Sequence, residues 1–328
     1  MVSDRARLSV GVIIPTYNSA GVVTEAVESV LSQEPPPDQV VVVDDGSTDN
    51  TPSVLLKYLD RVEYVRQENR GPSAARNVGL ARLMTDAVIF LDADDLLLPG
   101  ALACRLALLA RDSATWAHTD GFVHDHSGTR RPFSKVNPLR GGKVEGWIFP
   151  DLLCQNFITV DSVIVRRDAI QVAGGFDEAM RGVEDWDLWL RLAVSHPIRY
   201  SPRQTYVYRR GKHTVSSDRQ AMDRMRYQTL VKMRRLFPAA VAAAGPAARR
   251  SVADAHNGFG YGLAHEGRWR EVTPYLWTSV RLWPWQRRAW WLLLRCLVPS
   301  RRSANPPERQ THGSGPSSPG SSAGPGGR

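Results

Sequence analysis

Cysteine is scarce in these 328 residues: Cys104, Cys154 and Cys296 are scattered, odd in number and in no Cys-x-x-Cys pair. That excludes a disulfide scaffold and points to a reducing compartment. The chain has no uninterrupted apolar run of the roughly 18 residues that an obvious membrane-spanning helix needs. Met1 to Arg7 has no apolar stretch, so no signal peptide is expected there and the expected location is cytoplasmic. No Gly-x-Gly-x-x-Gly follows the first apolar run, which weakens a dinucleotide reading. A P-loop pattern is missing, and so is a Gly-x-Ser-x-Gly nucleophile elbow. Between Arg281 and Arg328 lysine is missing altogether, and Glu308 is the one acid against eight arginines. That stretch carries +7 of the net +9, so the rest of the chain is near neutral. A basic end on a neutral body suits an anionic membrane surface at least as well as nucleic acid. No nucleic-acid partner is expected.

The stretch that organises the rest is Phe90-Leu91-Asp92-Ala93-Asp94-Asp95. It follows the apolar run from Ala87, which reads as a fully buried strand of a parallel sheet. Carboxylates at the carboxyl end of such a strand stand at the rim where open α/β sheets bind ligands. Asp92 and Asp94 are two apart and leave the same face if the chain stays extended. Two converging carboxylates repel unless a cation lies between them, and Mg²⁺ or Mn²⁺ prefers such oxygen ligands beside a diphosphate. The structural alternative is that Asp94 or Asp95 caps the following helix.

Around this stretch, elements alternate. Leu8–Ile14 reads as a strand, Val23–Leu31 as a helix stopped by Pro35-Pro36-Pro37, and Gln39–Val43 as a second strand. Pro52 opens a helix, Val62–Val65 is a third strand, and Gly71-Pro72 starts a helix running to Leu83. Strand and helix in alternation predict a mostly parallel sheet with helices on both faces. Beyond Leu109 the pattern loosens. Ala114–His124 alternates and His126–Thr129 resembles a hairpin turn. Leu139–Gly146 reads as a loop, Trp147–Cys154 as a helix and Val160–Arg166 as a strand. A turn at Gly174–Glu178 precedes a helix over Glu184–Val194, and Gln204–Tyr208 is a last strand. From Asp218 onward the pattern is helical, and Ser303–Arg328 is a Gly/Ser/Pro-rich stretch expected to be disordered.

Four stretches, Val12-Ile-Ile-Pro-Thr-Tyr-Asn18, Val43-Asp-Asp-Gly-Ser-Thr-Asp49, Gly71-Pro-Ser-Ala-Ala-Arg-Asn-Val-Gly79 and Phe90-Leu-Asp-Ala-Asp-Asp95, occur in one order. A fifth, Gly174-Gly-Phe-Asp-Glu178 followed by Glu184-Asp-Trp-Asp187, completes the set. Together they resemble the family 2 glycosyltransferases with a GT-A fold, over roughly residues 8 to 217. The resemblance implies a Rossmann-like, doubly wound, mostly parallel α/β sheet followed by a C-terminal helical region. The expected division is a transferase domain over 1–217, helices over 218–302 and a tail over 303–328.

It also implies roles. Pro15 and Tyr17 lie in the loop beneath the nucleotide base, where an aromatic ring stacks on a base face. Asp44 and Asp45 accept from a base N–H or a ribose hydroxyl. Arg76 lies beside the nucleotide. Asp92 contacts the ribose or assists the metal, and Asp94 binds the cation, Mn²⁺ or Mg²⁺, with His213 as a further ligand. Arg209 and Arg210 touch the diphosphate, the metal or the acceptor, although the spacing Arg-Arg-Gly-Lys-His departs from the family's commoner Arg-x-His. Asp185 is the general base that takes the acceptor hydroxyl proton, with Glu184 and Asp187 as competitors. Trp189 and Trp186 are candidates to pack under an acceptor sugar, or else core residues.

The expected reaction is inverting transfer of a sugar from a nucleoside diphosphate donor, most commonly UDP, to a hydroxyl of a glycan or glycolipid in cell-surface polysaccharide synthesis. Rival readings are a nucleotidyltransferase on a related scaffold, disfavoured by the lack of a basic loop after the first strand, and a non-catalytic binding module. Six of the ten tryptophans fall between residues 254 and 300. With their flanking arginines they suit either a membrane interface or a helical subdomain packed on the body.

Overall fold

Runs rich in valine and isoleucine build the centre of the sheet. The computed structural model describes residues 8–125, 128–139, 142–210 and 219–297. Its nine strands are β1 (Val10–Thr16), β2 (Gln39–Asp44), β3 (Glu63–Arg66), β4 (Ala87–Phe90), β5 (Leu96–Leu97), β6 (Trp116–His124), β7 (Arg130–Pro132), β8 (Val163–Arg166) and β9 (Ile198–Arg209). They join in the order β3-β2-β1-β4-β8-β6-β9-β5, with β7 on β6. The first four of that order run parallel. β8 is antiparallel to both β4 and β6, while β9 runs parallel to β6.

The sheet is buried on both faces, so its strands alternate between two apolar cores rather than between core and water. Ile13, Val41, Val43, Val88 and Phe90 enter one core with Trp116 and Trp189. Val12, Ile14, Val42 and Ile89 enter the other with the helix Val23–Leu31 and the helix Ala101–Ala110. The helix Pro72–Arg82 lies close on β1 because Gly79 has no side chain. A Cβ there would come within 2.5 Å of Ile13 Cγ2.

Most expected elements are present. The first strand is two residues later than expected. The last strand is longer, beginning at Ile198 because it pairs with all of β6 from Trp116 onward. The hairpin around Thr129 is present, with His124 opposite Arg130. Val160–Arg166 is only half strand: Val160–Ser162 is a single tight turn that turns Asp161 toward Asp92, and β8 starts at Val163. Neither Asp94 nor Asp95 caps a helix; β5 intervenes, and the next helix begins after Gly100. The expectations for His126, His213 and Ser303–Arg328 lie outside the described residues.

Among the described residues, five helices follow β9: Arg219–Leu236, Pro238–Ala243, Gly245–His265, Trp269–Leu282 and Arg287–Leu297. They pack on the body through specific bonds. Ser251 Oγ donates to the Leu153 carbonyl at 2.7 Å, and Lys232 pairs with both Asp177 and Asp187 at 2.7 Å.

Candidate active site

The carboxyl ends of β1, β2 and β4 open on one cleft of about 550 Å³, as expected for the rim of a parallel sheet. Pro15, Tyr17, Asp45, Arg76, Asp92, Asp94 and Glu184 all line it.

The loop after β1 is held by Asn18, whose backbone takes the left-handed conformation at φ +49°. Its side-chain oxygen accepts from the backbone N–H of Thr48 at 2.8 Å, tying this loop to the one after β2. Tyr17 is left 47% exposed over the cleft, enough ring to stack on a planar ligand.

The neighbours Asp44 and Asp45 are used differently, because consecutive residues of an extended chain point to opposite sides. Asp45 lines the cleft and folds its wall. It accepts from Arg70 N at 2.9 Å, Gly71 N at 2.7 Å and Gln67 Nε2 at 2.6 Å. Gly71 takes φ +93°, which a side chain would disfavour, and this turn starts the helix that carries Arg76. Asp44 is fully buried and does not reach the cleft, which corrects the expectation that it contacts the nucleotide. Its two oxygens accept from Ser47 N at 2.8 Å and Tyr64 Oη at 2.7 Å.

Arg76 is buried at the back of the cleft. Nη2 donates to Asp92 Oδ1 at 2.6 Å and Nη1 to Glu184 Oε1 at 3.0 Å. Burial alone would lower its pKa, but the charges of Asp92 and Glu184 more than offset that and raise it. Glu184 Oε2 is buried with no hydrogen-bond partner.

Asp94 stands exposed on the cleft wall. Loss of surrounding water, then the charge of Asp92, raises its pKa. Asp95 turns inward. Its Oδ1 accepts from Arg209 N at 2.7 Å, and its Oδ2 is buried without a partner. Asp161 Oδ1 accepts from Asp92 N at 2.9 Å. One oxygen each of Asp92, Asp95 and Asp161 lie within 4.8 Å of one another. Burial, then the charge of Asp92, pushes the Asp161 pKa up to about 7. Hard oxygen donors of this kind suit Mg²⁺ or Mn²⁺. Asp161 escaped sequence reasoning. The signal was there: it is a lone carboxylate inside the mostly apolar run Phe157–Val165.

Asp185 sits in the first turn of the helix Glu184–Ser195, beside the cleft rather than among the residues lining it. Its Oδ1 accepts from Trp186 N at 2.6 Å, and Asn156 Nδ2 lies 3.4 Å from both its oxygens. Burial first, then the charge of Glu184, pushes its pKa up to about 7. Asp187 is fully buried and structural. Arg191 donates to its Oδ2 at 2.7 Å and Lys232 pairs with its Oδ1, which removes it as a competitor.

Two further expectations are corrected. Trp189 is fully buried and stacks on Trp116 at 5.9 Å between ring centroids, so it reaches no acceptor. The Arg209 guanidinium pairs with Glu25, and Arg210 is exposed with its N–H donating to the His124 carbonyl. Neither Arg209 nor Arg210 lines the cleft.

Comparison with known proteins agrees with this fold. ExoU of Rhizobium meliloti, a succinoglycan biosynthesis protein, is 34% identical over 210 residues, covering 60% of this chain and 59% of that protein. An uncharacterized glycosyltransferase of Rickettsia felis is 30% identical over 191 residues, covering 58% of this chain. This chain spans 31% of that relative's length. The crystal structure of S. aureus TarS with UDP-GlcNAc has a TM-score of 0.63 at 19% identity, covering 84% of this chain and 83% of that one. The mannosyltransferase PcManGT of Pyrobaculum calidifontis, solved with GDP-Man and Mn²⁺, has a TM-score of 0.58 at 22% identity, covering 89% and 86%. At those identities the likeness shows the fold, which is that of GT-A glycosyltransferases. The family model "Glycosyl transferase family 2" matches residues 11–174, and the chain belongs to that family.

Proposed function

We propose that this protein transfers a sugar, with inversion, from a nucleoside diphosphate sugar to a hydroxyl of a glycan or glycolipid in polysaccharide synthesis. The observation that carries this reading is the bridge Asp92–Arg76–Glu184, whose central guanidinium is buried. It joins Asp92, two residues past the end of β4, to the residue next to Asp185. In this reading the bridge holds the donor side of the cleft and the base in one frame, as a single displacement requires.

In this reading Tyr17 stacks on the base and Asp45 shapes the loop under the ribose. Asp185 takes the acceptor proton; a carboxylate tuned to about 7 is matched to that task near neutral pH. Asn156 and the Trp186 N–H orient it. Asp92 and Asp94 are the carboxylates in the cleft that would hold a divalent cation. The unpartnered Oδ2 of Asp95 behind them fits a site built for positive charge. When bound, that ion offsets the charge growing on the leaving diphosphate. UDP is the proposed donor nucleotide, as in the UDP and UDP-GlcNAc complexes of TarS.

A panel of UDP, dTDP and GDP sugars, scored by thermal shift and slow donor hydrolysis with and without Mn²⁺, tests the reading. One nucleotide that stabilises only with metal supports it. No response from any donor, alone or with acceptor glycolipids, favours a non-catalytic module instead.

A further inference from the structure

The last two helices expose an aromatic, basic face. Trp285 is 82% exposed, Leu294 62% and Trp291 52%, and Trp277 and Trp290 are about half exposed beside them. On the helix Arg287–Leu297 the residues Arg287, Trp291 and Leu294 fall at i, i+4 and i+7, one face. The opposite face is already satisfied: Ala289, Leu292 and Leu293 are buried against Val272, Leu276 and Val280. The exposed rings are therefore not a core waiting to close. They are also oriented. Trp290 Nε1 donates to the Pro284 carbonyl at 2.7 Å, Trp277 meets Trp290 edge-on at 5.9 Å, and Arg295 lies over Trp291 at 4.9 Å.

Along the chain the charge of this stretch has one sign, with Asp254 of an earlier helix accepting from Gln286 Nε2 at 2.6 Å. From Val272 to Leu297 the chain has four arginines and no Lys, Asp or Glu. A second copy of the same face would bring like charges together. The chain's other segments offer little to cover it: residues 299–328 contain no aromatic residue, leucine, isoleucine, valine or methionine. Half-exposed tryptophans among arginines match the level of a bilayer where acyl chains meet anionic headgroups. The helix Arg287–Leu297 has eleven residues, far short of a span, and no helix among the described residues is long and apolar enough to cross a membrane.

We propose that Trp277, Trp285, Trp290, Trp291 and Leu294, ringed by Arg281, Arg287 and Arg295, form a docking face for an anionic lipid bilayer. The face lies in the bilayer surface and does not cross it. Docking does not depend on the transferase reading. If both hold, the acceptor is carried on lipid and reaches the cleft along the membrane plane.

The test is flotation of the full chain with vesicles of phosphatidylcholine alone or mixed with phosphatidylglycerol, at low and high salt. The face predicts flotation with the anionic vesicles that weakens with salt, falling about fivefold for each of Arg281→Gln, Arg287→Gln and Arg295→Gln. The combined Trp285→Ser, Trp291→Ser and Leu294→Ser variant, checked by circular dichroism for an unchanged fold, should lose flotation at least tenfold. Undiminished flotation of that variant would assign binding to the basic tail alone and overturn the proposal. Absence of flotation at low salt would do so too. A concentration-dependent dimer in sedimentation, abolished by the same variant, would give the face to a second copy instead.

Discussion

Arg76 and Glu184 are 108 positions apart in the chain and meet at 3.0 Å, while the same guanidinium holds Asp92 with its other nitrogen. This buried cation ties the segment just past β4 to the helix that carries Asp185. Its Nε finds no hydrogen-bond partner, so the two carboxylates take its hydrogen bonds, while the Phe176 ring lies against the guanidinium at 5.4 Å.

Arg76→Met should therefore leave Glu184 buried and unpaired. Removing one partner of a buried pair costs about 3–5 kcal/mol. Urea denaturation should show a loss of that order, and a smaller loss in the Arg76→Met, Glu184→Gln double variant. Equal losses in both would mean that the pairing with Glu184 is not what stabilises this corner.

Asp185→Asn should keep donor binding and lower kcat by about 10²–10⁴-fold. With the Asp185 pKa pushed up to about 7, transfer by the unaltered protein should rise with pH through that value. Stability follows the opposite sign. The raised pKa favours the protonated folded form, so Asp185 contributes stability fully below its ordinary value near 3.8, and loses it as pH rises through about 7. The difference in stability between Asp185→Asn and the parent should therefore change across that window. A kcat–pH profile and melting curves check both, and near-normal transfer by Asp185→Asn would move the base role to Glu184.

Asp94→Ala should abolish Mn²⁺-dependent donor binding and leave the melting temperature in the absence of ligand nearly unchanged, since the residue is exposed. Calorimetry of donor binding with and without Mn²⁺ decides this. Unaltered metal-dependent affinity would shift the ligand set to Asp92, Asp95 and Asp161.

Trp189→Ala should cost about 3–5 kcal/mol by emptying the stack on Trp116. Trp189→Phe should cost less and leave the KM for acceptor unchanged. A large KM change for Trp189→Phe at normal stability would contradict its place in the core.

The alternating β and α segments, and the rim position of Asp92 and Asp94, were legible in the sequence because they depend on local periodicity. A buried parallel strand has to be an apolar run, and the residues just past its carboxyl end have to stand at the sheet edge. The choice between Asp44 and Asp45 was open in the sequence. Both end the same strand, and only packing against Tyr64 decided which one turns inward. Asp187 and Trp189 likewise fit a site or a core in one dimension; Lys232 and Trp116, distant in sequence, settled both for the interior. Asp161 joined the acidic group only because β8 runs back antiparallel beside β4 and the turn before it faces Asp92. Sequence by itself determined the elements, their order and the family, since hydrophobic period and motif spacing are local. Which carboxylates face the cleft, and which cation bridges them, was decided by tertiary structure, because a charge is set in place by partners that the chain brings in from far away.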